Sequence, residues 1–125
     1  MKQPVVAQNA PKAIGPYSAA VKTDFLIFTA GQLGMDPQTG QLVEGGIQAQ
    51  TKQALINLKE ILIAAGSALT KVVKVTVFLQ NMADFSLMNE IYAEFFSSEF
   101  PARSAIQVAA LPKNAAVEIE AIALP

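Results

Sequence analysis

The most constraining feature of the sequence is a change in the spacing of its apolar residues on either side of Gly66. After Gly45-Gly46 the apolar side chains recur every three or four residues, which places them on one side of an α-helix: Ala54, Leu55, Leu58, Ile61, Leu62 and Ala65. Gly66 stands where a helix commonly ends with a glycine. Over Lys71–Gln80 the spacing becomes two, as in a β-strand. The sequence therefore predicts a helix followed by a strand.

The alternation within Lys71–Gln80 assigns its side chains to the two faces of a sheet. One face has Val73, Val75, Val77 and Leu79, and the other has Val72, Lys74, Thr76, Phe78 and Gln80. Because both sets include apolar residues, we expect both faces of this strand to be partly covered.

A second helix is expected after Asp84, which we predict to cap its N-terminus. Pro101 prevents the helix from continuing further. The apolar face of this helix is predicted to consist of Phe85, Met88, Ile91, Tyr92, Phe95 and Phe96.

Further strands are predicted from short apolar segments. Phe25–Ala30 is a dense apolar run that we interpret as a buried strand, and a turn at Asp36–Gly40 returns the chain near Gln41–Val43. Ser104–Ala109 and Val117–Leu124 complete the set, and an antiparallel pair of these two would place Arg103 near the far end of its partner strand. The order β, β, α, β, α, β, β predicts an α+β fold with the helices packed on one face of a sheet.

Length and composition favour one domain, residues 1–125, that associates with copies of itself. Apolar residues make up 52% of the 125 residues and charged residues only 15%, so part of the apolar surface is expected to be covered in an oligomer. The N-terminus lacks the apolar run of a signal peptide, and no apolar stretch approaches the roughly 18 residues of a membrane span. We therefore expect a cytoplasmic protein without a membrane partner.

The charge pattern argues against nucleic acid as a partner. The net charge is −1 and the lysines are scattered along the chain, whereas binding a polyphosphate requires clustered Lys and Arg. The sequence also has no cysteine and no histidine, so disulfides, thiolate nucleophiles, thiolate metal sites and the commonest general base are excluded. Carboxylates, tyrosines, lysines, hydroxyls and one arginine remain as chemical groups.

Arg103 is that single arginine, and it follows Pro101-Ala102 just before a predicted strand. A guanidinium binds a carboxylate through two parallel hydrogen bonds, a geometry that lysine does not reproduce. Composition alone favours an ordinary surface arginine over an anion-binding one, because most arginines in proteins are exposed.

Other polar residues could complete a site around Arg103. Glu118 and Glu120 alternate with Val117, Ile119 and Ala121 and therefore share one face of the last strand, either merely solvated or placing a carboxylate near Arg103. Tyr17 follows Gly15-Pro16 in a turn-rich segment and either presents its hydroxyl as a proton donor or is buried for structural reasons. Asn89, on the second predicted helix, is either an exposed polar residue or part of a pocket.

Four segments, taken together and in order, resemble the reactive intermediate deaminase (RidA/YjgF) family. They are Ala13–Ser18, Thr29–Gln32, Phe100–Ser104, and Leu111-Pro112-Lys113 followed by Val117–Ala121. The resemblance implies a chorismate-mutase-like α+β fold that assembles as a homotrimer with a cleft between each pair of subunits. It also implies hydrolysis of enamines and imines, such as 2-aminoacrylate, 2-iminopropanoate and 2-iminobutanoate, to 2-keto acids and ammonia without a metal or organic cofactor.

The resemblance also implies roles for individual residues. Arg103 would bind the substrate carboxylate, Glu118 would position the attacking water, and Tyr17 would line the pocket. Our own hypothesis is that the Tyr17 hydroxyl donates a proton to the β-carbon of the enamine. Asn89, Gly31 and Ala105 would line the substrate pocket.

This sequence departs from the family pattern at two positions. Ala105 stands where bacterial relatives often have cysteine, so no thiol is essential here, and Ala30 stands where serine is usual.

Three other functions are compatible with parts of the sequence. A non-catalytic trimer that binds small carboxylates, as a sensor or chaperone-like protein, would use the same arginine. A chorismate-mutase-like reaction usually requires several cations around two carboxylates, which one arginine per chain does not supply. An endoribonuclease, a role attributed to members of this family, would require phosphate contacts that the scattered lysines do not favour.

Overall fold

The computed structural model describes all 125 residues. Two α-helices and seven β-strands make up the fold, together with three short 3₁₀ turns. The helices are α1 (Gly46–Ala64) and α2 (Phe85–Phe95). The strands are β1 (Gln3–Val5), β2 (Ala20–Lys22), β3 (Ile27–Thr29), β4 (Gln32–Leu33), β5 (Val72–Leu79), β6 (Ala102–Gln107) and β7 (Val117–Ala123). Neither helix combines the length and the apolar character that crossing a membrane requires.

The strands form one mixed sheet in the order β1-β2-β3-β7-β5-β6, and β4 also pairs with β7. All pairs are antiparallel except β5 with β6, which is parallel. Buried side chains of β5 and β7, such as Val75, Val77 and Ile119, point to the face that α1 covers, and α2 packs beside α1. The predicted α+β fold with two helices on one face of a mixed sheet is confirmed.

The antiparallel pair of the sixth and seventh strands does not form. β6 lies parallel to β5 because α2 carries the chain back to the starting end of the sheet, as in a βαβ crossover. β7 instead enters between β3 and β5, with Val77 opposite Ile119. β6 is therefore an edge strand, and a full strand lies between it and β7.

The C-terminus of α1 has the glycine-dependent ending that the sequence predicts. Gly66 has φ of +81°. Its amide donates to Ile63 O at 2.9 Å, and the Ser67 amide donates to Leu62 O at 2.8 Å. These are the two hydrogen bonds of a Schellman motif. Lys22 Nζ also donates to Ala65 O at 2.9 Å, which places a cation at the negative end of the helix dipole.

Strand β5 contains a β-bulge that changes one predicted face. The register shifts between Val72 and Lys74, so Val73 is the extra residue. As a result Val72 is buried and Val73 is 40% exposed. The prediction that Val73 shares a face with Val75 is wrong, while the alternation from Lys74 to Leu79 is confirmed.

The start of α2 also differs from the prediction. Asp84 occupies the N-cap position but its side chain makes no capping hydrogen bond. A 3₁₀ turn, Met82–Asp84, precedes the helix, and Asn81 Oδ1 accepts from the Ala83 amide at 2.9 Å. Asn81 therefore caps the combined turn and helix, because the chain already begins to coil before Asp84. The helix buries Met88 and Tyr92.

The N-terminal half contains three strands that the sequence does not predict, β1, β2 and the two-residue β4. β1 and β2 have three residues each, too few for their alternation to be recognisable. Phe25–Ala30 forms a strand only over Ile27–Thr29, and Phe25 is 80% exposed, so the prediction of a fully buried run is wrong. The predicted turn is confirmed, because Gly40 N donates to Asp36 O at 2.8 Å and Met35 forms a bridge with Leu42.

Candidate active site

Arg103 lies on the edge strand β6 with its side chain on the helix-covered face of the sheet. It is opposite the fully buried Val75 of β5, and its Nη1 donates to Asn89 Oδ1 at 2.7 Å. Because Asn89 is on α2, this hydrogen bond joins the sheet edge to the helix. The two residues line a cleft of about 390 Å³, here called the Arg103 cleft, together with Tyr92, Ala93, Phe96, Phe100 and Pro101.

Two aromatic rings of α2 contact the guanidinium. The Arg103 Cζ atom is 4.6 Å from the ring centroid of Tyr92 and 5.4 Å from that of Phe85. Phe85, Asn89 and Tyr92 are spaced by four and three residues, so they lie along one side of the helix. The only ion pair of the chain joins the N-terminal ammonium to Asp24, so Arg103 has no carboxylate partner. A positive charge held by neutral groups is available to an incoming anion.

Tyr92 is buried beneath the guanidinium. Its ring packs against Phe96 with the centroids 4.7 Å apart. Burial raises the pKa of the Tyr92 phenol, and both the charge of Arg103 and the nearness of its guanidinium to the phenol oxygen oppose that shift. The hydroxyl is inaccessible to solvent and has no hydrogen-bond partner. Tyr92 is therefore a neutral residue whose ring packs against both Arg103 and Phe96.

Glu118 lies on β7 with its side chain on the opposite, open face of the sheet. It is level with Phe78 of β5 and Leu33 of β4. Burial raises the pKa of the Glu118 carboxyl, and the neighbouring charge of Glu120 raises it further. As the alternation predicts, Glu118 and Glu120 share this face, while Val117, Ile119 and Ala121 are buried on the other.

Gly31 supports the Glu118 carboxylate by leaving room for it. A Cβ atom at Gly31 would lie 2.8 Å from Glu118 Cδ and 2.9 Å from its Cγ, closer than van der Waals contact allows. The backbone between β3 and β4 is anchored by Ala30 N, which donates to Ala19 O at 2.8 Å. Any side chain at position 31 would therefore displace the carboxylate.

Tyr17 lies in the same cleft as Glu118 and Gly31, which has a volume of about 370 Å³ and is here called the Glu118 cleft. The tyrosine is 55% exposed, so the alternative of a buried structural tyrosine is wrong. Gly15, with φ of +115°, allows the turn in which the Tyr17 amide donates to Gly15 O at 2.9 Å. Lys12 and Lys113 also line this cleft. No group of three or more acidic side chains in the chain is arranged to hold a metal ion.

The two clefts are separate within one chain. Arg103 is level with Val75 and Glu118 with Phe78, so two strand spacings and three residues separate their Cα atoms by about 14 Å. Their side chains are also on opposite faces of the sheet. Ala105 is two residues beyond Arg103 and packs against the core on the same face. The structure thus brings Arg103, Asn89 and Ala105 to one side, and Tyr17, Gly31 and Glu118 to the other.

The comparison with known families places the chain. The family model described as endoribonuclease L-PSP matches residues 7–125. The chain belongs to this family, the RidA/YjgF family. The resemblance inferred from the four sequence segments is confirmed.

Individual members support this assignment. A bovine protein named 2-iminobutanoate/2-iminopropanoate deaminase is 60% identical over 93% of this chain and 85% of its own length. The structure of YyfA from Yersinia pestis, a member of the conserved Rid protein family, has a TM-score of 0.97 at 45% identity and covers all of both chains. Escherichia coli TdcF, solved with bound serine, has a TM-score of 0.94 at 41% identity over 98% of each chain.

The sequence does not identify the two aromatic residues that contact Arg103, Phe85 and Tyr92, as parts of a site. Helix periodicity predicts both on the apolar face of α2, and they do share that face with Met88. Their spacing relative to Asn89 was the available signal, because it aligns all three on one helix face. Recognising it required knowing that β6 brings Arg103 beneath that face.

Proposed function

We propose that this RidA-family chain is an imine deaminase that converts enamines and imines of short 2-keto acids, such as 2-iminopropanoate and 2-iminobutanoate, to the keto acids and ammonia. The name and identity of the bovine deaminase support the reaction. The observation that carries the proposal is Arg103 itself. Its guanidinium is oriented by Asn89, Tyr92 and Phe85 and is not neutralised by any carboxylate of the chain.

We further propose that the active site forms between subunits of a homotrimer. The Cα atoms of Arg103 and Glu118 are about 14 Å apart, and their side chains lie on opposite faces of the sheet. Within one chain the two residues are therefore too far apart to act on the same three- or four-carbon acid. The open face has apolar side chains that a partner would cover: Phe28, Phe78, Ile106 and Ile122. A head-to-tail contact that closes on itself pairs the Arg103 cleft of one subunit with the Glu118 cleft of the next.

In this site each residue has one chemical task. Arg103 holds the substrate carboxylate through two charge-assisted hydrogen bonds. Tyr17 donates a proton to the β-carbon of an enamine and takes one back from the nitrogen of the resulting iminium, which gives the imine. Glu118 takes a proton from water as its oxygen bonds to the imine carbon, and returns that proton to nitrogen. Glu118 then carries the proton of the new hydroxyl to nitrogen as the C=O bond forms and the C–N bond breaks, which releases ammonia and the keto acid. Asn89, Gly31 and Ala105 line the pocket.

The raised pKa of Glu118 suits the base role. Partial burial and the charge of Glu120 both make its carboxylate a stronger base than an exposed glutamate. The absence of a side chain at Gly31 leaves room for that carboxylate in the cleft. General-base assistance of this kind typically contributes about 10²- to 10⁴-fold to the rate.

Complementation between two inactive variants tests both the reaction and the shared site. Ammonia release from freshly generated 2-iminobutanoate is measured for Arg103→Ala and Glu118→Gln, alone and after refolding the two together. Each variant alone should lose at least about 100-fold in turnover. In mixed trimers, roughly one site in four receives both native residues and should be active. Activity near zero in the mixture contradicts a site shared between subunits.

A second candidate function is binding of small carboxylates without turnover. The serine bound to Escherichia coli TdcF favours it, because an amino acid has the carboxylate but no imine to hydrolyse. In this case Glu118→Gln would leave both ligand binding and the slow spontaneous ammonia release unchanged. Faster ammonia release by the wild-type protein than by Glu118→Gln would exclude a protein that only binds carboxylates.

Ribonuclease activity is the third candidate, because the family model is described as an endoribonuclease. The chain has a net charge of −1, and the Glu118 cleft contains only Lys12 and Lys113 as cations. Phosphate backbones are bound by several clustered cations, so this surface does not favour RNA. RNA cleavage that survives extensive purification and is lost in Arg103→Ala would establish the activity.

A further inference from the structure

The single arginine is oriented by neighbouring groups that carry no charge of their own. A guanidinium needed for a structural role normally pairs with a carboxylate, and Glu90 and Glu94 lie on the same helix, yet neither forms an ion pair with Arg103. Instead Tyr92 and Phe85 offer their rings at 4.6 and 5.4 Å from Cζ. These two residues are called the aromatic pair below.

We propose that the aromatic pair positions Arg103 for carboxylate binding and that the ring of Tyr92, not its hydroxyl, supplies most of this effect. The inference rests on the proposed function for the identity of the ligand, a short 2-keto or 2-imino carboxylate. Tyr92 and Phe85 are positioning residues, since they act through Arg103.

The geometry explains why rings are used here. An aromatic face attracts a cation without accepting its N–H groups, so stacking fixes the guanidinium plane and leaves most of its donors free. Asn89 Oδ1 accepts from Nη1 at 2.7 Å and fixes rotation within that plane. A carboxylate in place of Asn89 or the rings would occupy the donors that the substrate needs.

The state of Tyr92 supports an assignment to the ring. Its hydroxyl is buried and lies near the Arg103 guanidinium, but no partner meets hydrogen-bond geometry, so the ring makes the better-formed contact with Arg103. Packing of its ring against Phe96 at 4.7 Å holds the ring plane under Arg103. Phenylalanine at position 92 would preserve both contacts and remove the unpartnered hydroxyl.

The chain allows a direct measurement of the contact, because it has a single arginine. In protein labelled with ¹⁵N-arginine, one side-chain Nε–H resonance reports the position of Arg103, and ring currents from the aromatic pair shift it. Tyr92→Phe should retain that shift and Tyr92→Leu should lose most of it. Phe95→Leu, which removes a core-packed ring of α2 that is not in contact with Arg103, is the matched control and should leave it unchanged.

Ligand binding and turnover complete the test. The Kd for 2-oxobutanoate, a non-reacting keto acid, should rise roughly 3- to 30-fold in Tyr92→Leu and stay near the wild-type value in Tyr92→Phe and Phe95→Leu. KM for the imine should follow the Kd while kcat changes less, because the lost contact acts on the bound carboxylate in ground and transition states alike. If Tyr92→Leu does not fold, Phe85→Leu tests the second ring, with a smaller effect in the same direction.

Two results would overturn the inference. One is a wild-type Kd for 2-oxobutanoate in a folded Tyr92→Leu protein, and the other is an equal loss of affinity in Tyr92→Phe and Tyr92→Leu, which would assign the effect to the hydroxyl. Failure of the proposed deaminase function is distinguishable from failure of this inference. The first would appear as absent ammonia release by the wild type, whereas the Arg103 resonance and the Kd for 2-oxobutanoate would still test the aromatic pair.

Discussion

The Arg103 cleft and the Glu118 cleft surround their charged groups with opposite environments. Arg103 is stacked on neutral rings and hydrogen-bonded to an amide, which keeps the cation charged, oriented and without a competing anion. Glu118 is partly buried next to another carboxylate, which raises its pKa and makes its ionised form less stable. The first environment suits binding and the second suits proton transfer.

The two clefts also differ in what limits their geometry. The Arg103 cleft depends on a long-range contact between a strand edge and a helix, whereas the Glu118 cleft depends on backbone with no side chain at Gly31. Changes to the first cleft are therefore expected to alter affinity for the carboxylate. Changes to the second are expected to alter the chemical step.

The largest effect is expected from replacing the guanidinium by an ammonium. Arg103→Lys keeps the positive charge but loses the bidentate geometry and the planar stack on Tyr92. We expect kcat/KM for 2-iminobutanoate to fall about 100-fold, since one charge-assisted hydrogen bond and its orientation are lost. Steady-state ammonia release measures this, and the thermal unfolding midpoint should stay close to that of the wild type.

Retention of most of the activity in Arg103→Lys would show that the first cleft needs only a positive charge. The two clefts would then differ only in the sign of the charge that each contains, and the orientation of the guanidinium would not matter for activity.

The sequence predicted well the parts of the fold that depend on local pattern. The periodicity from Ala54 to Ala65 and Gly66 determine α1 and its ending, and the alternation of β7 determines which face holds Glu118. The separation of Arg103 from Glu118 depends instead on strand order. That order follows from the α2 crossover, a long-range property that alternation within single strands does not contain.

The candidate site was predictable only as a set of residue types. Arg103 stood out as the single arginine, and the family resemblance added Glu118, Tyr17, Gly31, Asn89 and Ala105. Neither source assigned Phe85 and Tyr92 to Arg103, because helix periodicity classifies both as core. Their contact with Arg103 became visible only when β6 was placed parallel to β5.

A smaller effect is expected from a methyl group in the Glu118 cleft. Gly31→Ala places a Cβ about 2.8 Å from Glu118 Cδ, and the flexible end of the glutamate should move aside. We expect kcat to fall about 10-fold, because the base is displaced from the water, with little change in stability. Gly40→Ala is the matched control. With φ of +71° and no atom within 4 Å of its added Cβ, it should cost about 1 kcal/mol of stability and leave kcat unchanged.

Stopped-flow or coupled ammonia assays and denaturant titrations on the two glycine variants separate these outcomes. A Gly31→Ala protein with wild-type kcat would mean that the carboxylate position in this cleft does not control the chemical step.

The smallest effect concerns the pKa of Glu118. Removing the neighbouring charge by Glu120→Gln takes away the second of its two causes, so the pKa of Glu118 should fall but stay above its ordinary value because burial remains. Since the base acts ionised, the acid limb of the kcat/KM profile should move to lower pH. Glu118→Gln should lack that limb.

The same shift makes a signed prediction for stability. A carboxyl with a raised pKa binds its proton more tightly in the folded state, so Glu118 contributes stability that is present below its ordinary pKa and is lost as the pH rises through the raised value. In Glu120→Gln this stability should be lost at a lower pH than in the wild type, because the pKa of Glu118 is less raised. In Glu118→Gln the contribution should be absent, and denaturant titrations across mildly acidic pH measure both. The pH dependence of the free energy of unfolding and the acid limb of kcat/KM should shift in the same direction in Glu120→Gln. Opposite shifts would show that Glu118 does not control both, and Glu118 would then not be the proton-transfer group that contrasts with Arg103.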